Sequence, residues 1–177
     1  MNLWKHLKTI TYHKYLVMKG CFKIGLYWQG ILHDLSKYMP SEFFIGVKYY
    51  QGTRSPNNAE REDIGYSSAW LHHKGRNKHH YEYWVDYSAS ESEGMVPAQM
   101  PLRYVAEMFV DRVSASKVYR KDAYSSKDPL KYYEAGKSHI VIHPKTRDVL
   151  EKLLNMLATE GENKTNHYIK YELLKRK

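Results

Sequence analysis

Two short stretches of the sequence contain side chains that can bind a metal ion. The stretch "LHDLSK", residues 32–37, places His33 beside Asp34 in an apolar run. A carboxylate there is costly to bury unless a cation compensates its charge. The stretch "LHHKGRNKHH", residues 71–80, holds two histidine doublets on either side of a glycine. Each stretch also has an ordinary alternative, a solvated helix end for Asp34 and a basic surface loop for the doublets.

His13 and Asp111 are further candidates because helical periodicity places them on buried faces. His13 follows Ile10 by three residues and precedes Val17 by four, so it shares their apolar face on a helix. Asp111 lies in a helix predicted over residues 102–119, which is apolar nearly all round and therefore central. His13 could equally be a hydrogen-bonded core residue, and an arginine of the same helix could pair with Asp111.

These residues must be positioned by helices, since every long apolar pattern in the chain has the helical period. The predicted fold class is all-α, a compact helical bundle. Glycines at 20, 25 and 30 allow the chain to turn back after the first helix. Such a turn would place His13 and His33 as neighbours on antiparallel helices. Gly75 is expected to end one helix and Asn77 to begin the next, so that the two doublets flank a helix break.

Two segments are predicted to be non-helical. Residues 138–143, "SHIVIH", form a short predicted strand. Residues 87–101, rich in Ser, Gly and Pro, are predicted to be a connection without regular structure. With 177 residues, the chain is expected to form one domain over 1–177, with a metal-site core at about 10–115 and a C-terminal helical extension over 128–177.

Composition limits the classes of partner and cofactor. The formal net charge of +9 favours anionic partners, but the basic residues are scattered, so nucleic-acid binding has no support beyond charge. A single cysteine, Cys21, leaves nitrogen and oxygen atoms as the ligands of any metal. No apolar run approaches the length of a membrane span, and the N-terminus lacks the features of a signal peptide. We therefore expect a cytoplasmic protein that does not enter the membrane.

Together, His13, the pair in "LHDLSK" and Asp111 on a central helix resemble the signature of the HD superfamily of metal-dependent phosphohydrolases. The context "HKYLVMKG…GLYWQGILHDLSK" is similar to that superfamily, and "NKHHYEYW" and "EMFVD" are similar to a small bacterial and phage branch of it. The likeness covers residues 10–115. The interval from His13 to His33 is shorter than usual, and Ser36 stands where glycine is commoner.

The resemblance implies a helical bundle of HD-domain type with one or two divalent transition ions. Nitrogen and oxygen ligands without sulfur suit Mn, Fe, Co, Ni or Zn. The implied ligands of a first ion are His13, His33, Asp34 and Asp111. The histidines that resemble ligands of a second ion, or that bind phosphate instead, are His73 and one or both of His79 and His80. His72 remains an alternative to His73.

The implied function is hydrolysis of a phosphoester in a nucleotide or another small phosphorylated metabolite. Lys37 and Arg76 would bind the phosphate, and Glu42 or Glu82 would relay a proton. Two other functions fit the same residues. One is an HD-type di-iron oxygenase, and the other is a non-catalytic binding module that contains a metal. The sequence makes no prediction of oligomeric state.

Overall fold

The computed structural model describes residues 2–90 and 94–176 and is mostly helical, which confirms the predicted all-α bundle. The α-helices of the described residues are α1 (Leu3–Lys23), α2 (Tyr27–Leu32), α3 (Pro40–Lys48), α4 (Pro56–Ile64), α5 (Ser68–Lys74), α6 (Leu102–Arg120), α7 (Asp128–Gly136), α8 (Pro144–Glu160) and α9 (Glu162–His167). Short 3-10 helices cover Leu35–Tyr38, Tyr81–Trp84, Lys121–Ala123 and Lys137–His139, and a π-helix covers Tyr168–Leu173. Within the described ranges, no helix has both the length and the apolar character needed to cross a bilayer.

The chain turns back between α1 and α2 at one glycine. Gly25 has a φ of 78°, a conformation that side-chain-bearing residues rarely adopt. Gly20 and Gly30 stay inside their helices and allow close packing instead. A Cβ at Gly20 would lie 2.5 Å from Cγ1 of Val110 on α6, and one at Gly30 would lie 2.9 Å from Cβ of Cys21. The absence of these side chains therefore lets α1 pack against both α6 and α2.

Helix α6 is the central element of the core. Residues on several of its faces are buried, among them Val105, Met108, Phe109 and Val113. The cluster of buried apolar residues around α6 draws on α1, on α7, on the leucines of α8 and on Ile169 of the π-helix. The C-terminal helices therefore share one core with the helices that hold the candidate ligands.

The predicted strand at residues 138–143 is wrong. The segment begins in a 3-10 helix and continues as irregular chain. Ile142 is buried and Ile140 half-buried against the core, whereas Val141 between them is exposed. The backbone carbonyl of Ile140 accepts a hydrogen bond from Arg147 rather than from a partner strand. His143 then accepts from the backbone of Lys145 at the start of α8.

The segment at residues 87–101 is not wholly irregular either, because it contributes to a small hairpin. Strand β1 (Val85–Tyr87) pairs antiparallel with β2 (Met95–Pro97), and Asp86 lies opposite Val96. Residues 91–93, which belong to the same predicted connection, lie outside the described residues. The hairpin directly follows the segment that contains the second histidine doublet.

Candidate metal centre

The backbone at Asp34 directs its carboxylate into the protein. α2 ends at Leu32, and Asp34 adopts a left-handed conformation with φ 53° and ψ 27° before the next 3-10 helix begins. Lys14 on α1 fixes this turn, since its ammonium donates to the carbonyls of Ile31 at 2.6 Å and His33 at 2.8 Å. The side chain of Asp34 is almost fully buried. Strained backbone of this kind costs about 1–3 kcal/mol and is concentrated at functional sites.

A first group of potential metal ligands forms where α1, the end of α2 and α6 meet. Its members are His13, His33, Asp34 and Asp111, and each offers a donor atom within 4.8 Å of the others. Nε2 of His13 lies 3.0 Å from Oδ1 of Asp111, and Nε2 of His33 lies 3.2 Å from Oδ2 of Asp34. Among the described residues, Asp111 pairs with these imidazoles and not with an arginine of its own helix.

A second group lies on the other side of Asp34. Its members are Asp34, His73, His79 and His80, again with donor atoms within 4.8 Å of one another. His73 belongs to the last turn of α5, and the other two histidines lie in the turn before the 3-10 helix Tyr81–Trp84. Nε2 of His73 and of His79 lie 3.3 and 3.4 Å from Oδ1 of Asp34. Asp34 therefore presents Oδ2 to the first group and Oδ1 to the second.

The atoms that point into these groups are buried and have no hydrogen-bond partner within the described structure. They are Nε2 of His13, His33, His73, His79 and His80, and both carboxylate oxygens of Asp34. Lys37 Nζ lies 2.6 Å from Oδ2 of Asp34 and offsets part of its charge, without the geometry of a hydrogen bond. A buried polar atom without a partner costs about 1–3 kcal/mol, so a concentration of such atoms indicates a ligand. The donor set fits a divalent transition ion.

Glu107 orients one histidine from each group. Its Oε1 lies 3.0 Å from Nδ1 of His33 and 3.2 Å from Nδ1 of His79, while Gln29 donates to Oε2 at 2.7 Å. Burial opposes ionisation of Glu107, but the hydrogen bonds from the two imidazoles outweigh it and lower the pKa of the carboxyl group to about 2. An ionised carboxylate only accepts, so Nδ1 of each ring bears a proton. With Nδ1 bound to Glu107, Nε2 of each ring is the nitrogen that faces the ligand groups and that would bind a metal ion.

Glu42 orients the histidines of α5 through hydrogen bonds to their Nδ1 atoms. Its Oε2 lies 2.8 Å from Nδ1 of His73, and its Oε1 lies 2.6 Å from Nδ1 of His72. Nε2 of His72 is bonded to Ser41, so both nitrogens of His72 have partners and only His73 presents a free nitrogen. Ser36 contacts Nδ1 of His73 as well. The geometry therefore places His73 in the second group and His72 outside it.

Asp34 and His80 have shifted pKa values that suit metal binding. Burial opposes ionisation of Asp34, yet nearby His33 and Lys37 hold the pKa of its carboxyl group well below the usual range. Burial, followed by the charges of neighbouring histidines, lowers the pKa of His80 well below that of a free imidazole. A neutral His80 and an ionised Asp34 are the forms that bind metal ions.

A large cavity of about 930 Å³ leads to the cluster. This volume lies within the range of small-molecule sites. Lys37 and Glu82 line it together with several ligand candidates, and Oε2 of Glu82 is buried without a hydrogen-bond partner. Arg76 is exposed, bonds to the carbonyl of His72, and lies outside the residues that line the cavity. The phosphate and proton-transfer roles of these side chains remain predictions.

The residues singled out from the sequence as metal ligands all converge in the structure, but sequence reasoning missed Glu107. It precedes Asp111 by four residues on α6, so the two acids share one face of a helix that is otherwise apolar. The four-residue spacing between these two acids was the signal in the sequence that could have identified Glu107.

His6 is a second residue that the sequence analysis missed. It lines the cavity beside Gly46, with its Nδ1 unpartnered, and burial followed by the charge of Lys37 lowers its pKa to about 4.

Comparison with known proteins assigns the chain to a family. Residues 2–156 match a family described as a family of unknown function, DUF5662. The chain belongs to this family. No curated protein and no solved structure matched the chain. The matched range of this DUF5662 protein includes both groups of potential ligands and Glu107, so the candidate metal centre lies within the family region.

Proposed function

We propose that this DUF5662 protein is a metal-dependent hydrolase of phosphoesters, related to the HD superfamily, with a centre for two ions that share Asp34. The observation that supports this most strongly is the set of unpartnered donor atoms arranged on both oxygens of one buried carboxylate. A carboxylate between two ions is a common arrangement in hydrolytic centres, where ions about 3.5–4 Å apart hold the reacting oxygens. The adjoining cavity has room for a small phosphorylated metabolite such as a nucleotide.

The residues of the chain have separate tasks in this proposal. Bound divalent ions supply Lewis acidity, which activates water and offsets phosphate charge. Glu107 and Glu42 keep His33, His79 and His73 oriented with their free nitrogens toward the ions. Lys37 places a positive charge at the edge of the cluster, where it would attract the phosphate. Glu82, with one free oxygen at the cavity, is the candidate to accept or donate a proton.

Metal analysis combined with a substrate panel tests this function. Purified protein should contain a transition metal, and it should hydrolyse a phosphomonoester, a phosphodiester or a nucleotide in a panel of such compounds. Chelation should abolish turnover, and Mn, Co or Ni should restore it better than Mg, which prefers oxygen ligands. Glu82→Gln should slow turnover while the metal content stays that of the wild type. A metal-loaded protein that hydrolyses nothing in the panel would contradict the proposal.

A di-iron oxygenase is the second candidate, and the number of imidazoles favours it. Five histidines and two aspartates offer enough nitrogen and oxygen donors for two iron ions. Iron-loaded protein would then show the colour and EPR signal of a coupled iron pair and would consume oxygen with a substrate. Metal-loaded protein that neither shows these spectroscopic signals nor consumes oxygen, and that cleaves no phosphoester, would instead fit a non-catalytic binding module.

A further inference from the structure

Arg112 lies beside the metal centre with a buried donor that has no partner. It follows Asp111 on α6 and lines the cavity. Its guanidinium carbon lies 5.8 Å from the ring centre of Tyr133 on α7, and its Nε is buried without a hydrogen-bond partner. A guanidinium is always charged and has five N–H donors, so a free donor in a cavity wall is a binding group for an acceptor.

Other cations of the cavity wall already have partners. Lys37 pairs with Asp34, Arg54 with Glu62 and Arg120 with Asp128. Arg61 donates to the side-chain oxygen of Asn58 and lies over the ring of Trp70. Lys131 is exposed. Among the described cations of the cavity wall, Arg112 is thus the one that has a buried side-chain donor without a hydrogen-bond partner.

The surroundings of Arg112 also suit an anion that can carry a proton. Glu82 and Arg112 line the same cavity, so one anionic and one cationic side chain face a bound molecule there. Glu82 has a free acceptor oxygen, and Arg112 has a free donor. Monoprotonated phosphate offers acceptor oxygens for the guanidinium and a hydroxyl for the carboxylate.

We propose that Arg112, and not Arg76, binds the phosphoryl oxygens of the substrate. This inference rests on the proposed function, because it concerns the substrate of the same centre. Arg112 lines the same cavity as Asp111 and His80, so its charge lies in the wall that a phosphate entering this cavity would meet. Arginine suits this contact because its planar fork matches two phosphate oxygens at once.

Binding of inorganic phosphate to the full chain loaded with zinc tests the inference without catalysis. Calorimetry should show binding to the wild type that weakens about tenfold to a hundredfold in Arg112→Gln, the loss typical of a hydrogen bond between charged groups. Arg112→Lys should retain part of the affinity. Arg103→Gln on the exposed side of the same helix and Arg76→Gln should bind phosphate as the wild type does. Zinc content must be equal in all variants compared.

A second measurement uses the wild type and so does not depend on whether a variant folds or retains metal. In zinc-loaded protein labelled with ¹⁵N-arginine, the Nε–H resonance of Arg112 should shift saturably as phosphate is added. Phosphate that binds with no change at this resonance, or equally well to Arg112→Gln with full zinc, would overturn the inference, as would a lack of phosphate binding at millimolar concentration.

The two proposals fail in different ways. Phosphate binding that depends on Arg112, with no phosphoester hydrolysed by any metal form, would uphold the anion site and overturn the hydrolase. Hydrolysis with the same KM in the wild type and in Arg112→Gln would uphold the hydrolase and overturn the role of Arg112.

Discussion

At the scale of single residues, Asp34 joins the two groups of potential ligands. One of its oxygens faces the group of His13, His33 and Asp111, and the other faces His73 in α5 and His79 in the turn that follows. Removing a ligand from one group should therefore spare the other, whereas changing Asp34 should affect both.

We predict the metal content of three variants on this basis. Wild-type protein should bind two ions per chain, His13→Ala and His80→Ala should each bind one, and Asp34→Asn should bind fewer than one. Asparagine suits the test because it has the same size as aspartate and tolerates the left-handed backbone at this position. Elemental analysis after dialysis gives the stoichiometry, with the exposed Asp148→Asn as control. Asp34→Asn that retains two ions would show that the groups do not share this carboxylate.

Glu107 should affect the affinity of the protein for both ions without binding either ion itself. Glu107→Gln replaces an oxygen that accepts from His33 and His79 with a group that can also donate, so the imidazoles lose their fixed orientation. Metal affinity should fall about tenfold to a hundredfold, the usual effect of such orienting groups. Competition with a chromophoric chelator measures it, and the exposed Glu160→Gln should behave like the wild type. Unchanged affinity in Glu107→Gln would exclude the positioning role.

At the scale of elements, the close approach of α1 and α6 determines how His13 meets Asp111. Gly20 makes this approach possible, since any larger residue would overlap the side chain of Val110. His13 lies two turns earlier on the same helix, so the separation of the helices at Gly20 affects the distance between the ligands.

Gly20→Ala should therefore destabilise the protein. An added methyl group 2.5 Å from Cγ1 of Val110 overpacks the interface at a cost of about 1–3 kcal/mol, which exceeds the gain in helix propensity of about 1 kcal/mol. Urea unfolding should show a lower midpoint. Gly136→Ala is the matched control, since a Cβ there meets no atom within 4 Å and the change should be neutral or stabilising by about 0.4–1 kcal/mol. Equal midpoints for Gly20→Ala and the wild type would contradict the tight contact.

Several elements could be predicted from the sequence, and the exceptions have physical reasons. The helical period identified α6 and α8 because their apolar residues face a core along their whole length. Residues 138–143 contain three consecutive β-branched residues, which are typical of a strand, but Ile140 and Ile142 contact the core from an irregular segment. The sequence did not predict that both groups of potential ligands share Asp34, because this depends on the left-handed backbone conformation of that one residue. Glu107 was obscured by the apolar residues on either side of it.

At the scale of the whole molecule, negative charge is concentrated at the buried candidate site, while the chain as a whole is positively charged. The chain has a formal net charge of +9, whereas the candidate metal centre and its surroundings contain the buried carboxylates Asp34, Glu42 and Glu107 and the mostly buried Asp111. The anionic centre favours cations, and the cationic remainder favours the approach of anionic substrates.

Metal binding should accordingly raise the thermal stability of the entire chain. An ion at a concentration one hundred times its Kd stabilises the folded state by about 2.7 kcal/mol per site, and each kcal/mol raises Tm by about 2–4 °C for a chain of this length. Zinc added to metal-free protein should thus raise Tm by about 5–10 °C for each site filled. Calorimetry on the wild type measures the shift, and Asp34→Asn should show little of it. A Tm that does not respond to any of Mn, Co, Ni or Zn would argue against a metal centre.

The two groups of potential ligands differ in how firmly the chain holds them, and this difference affects the rate at which ions would leave. His13 and Asp111 belong to long helices anchored in the core, whereas His79 and His80 lie in a short turn between α5 and a 3-10 helix. Short irregular segments open locally far more often than core helices do. The ion beside His79 and His80 should therefore be the labile one, exchanging with the medium while its neighbour stays in place.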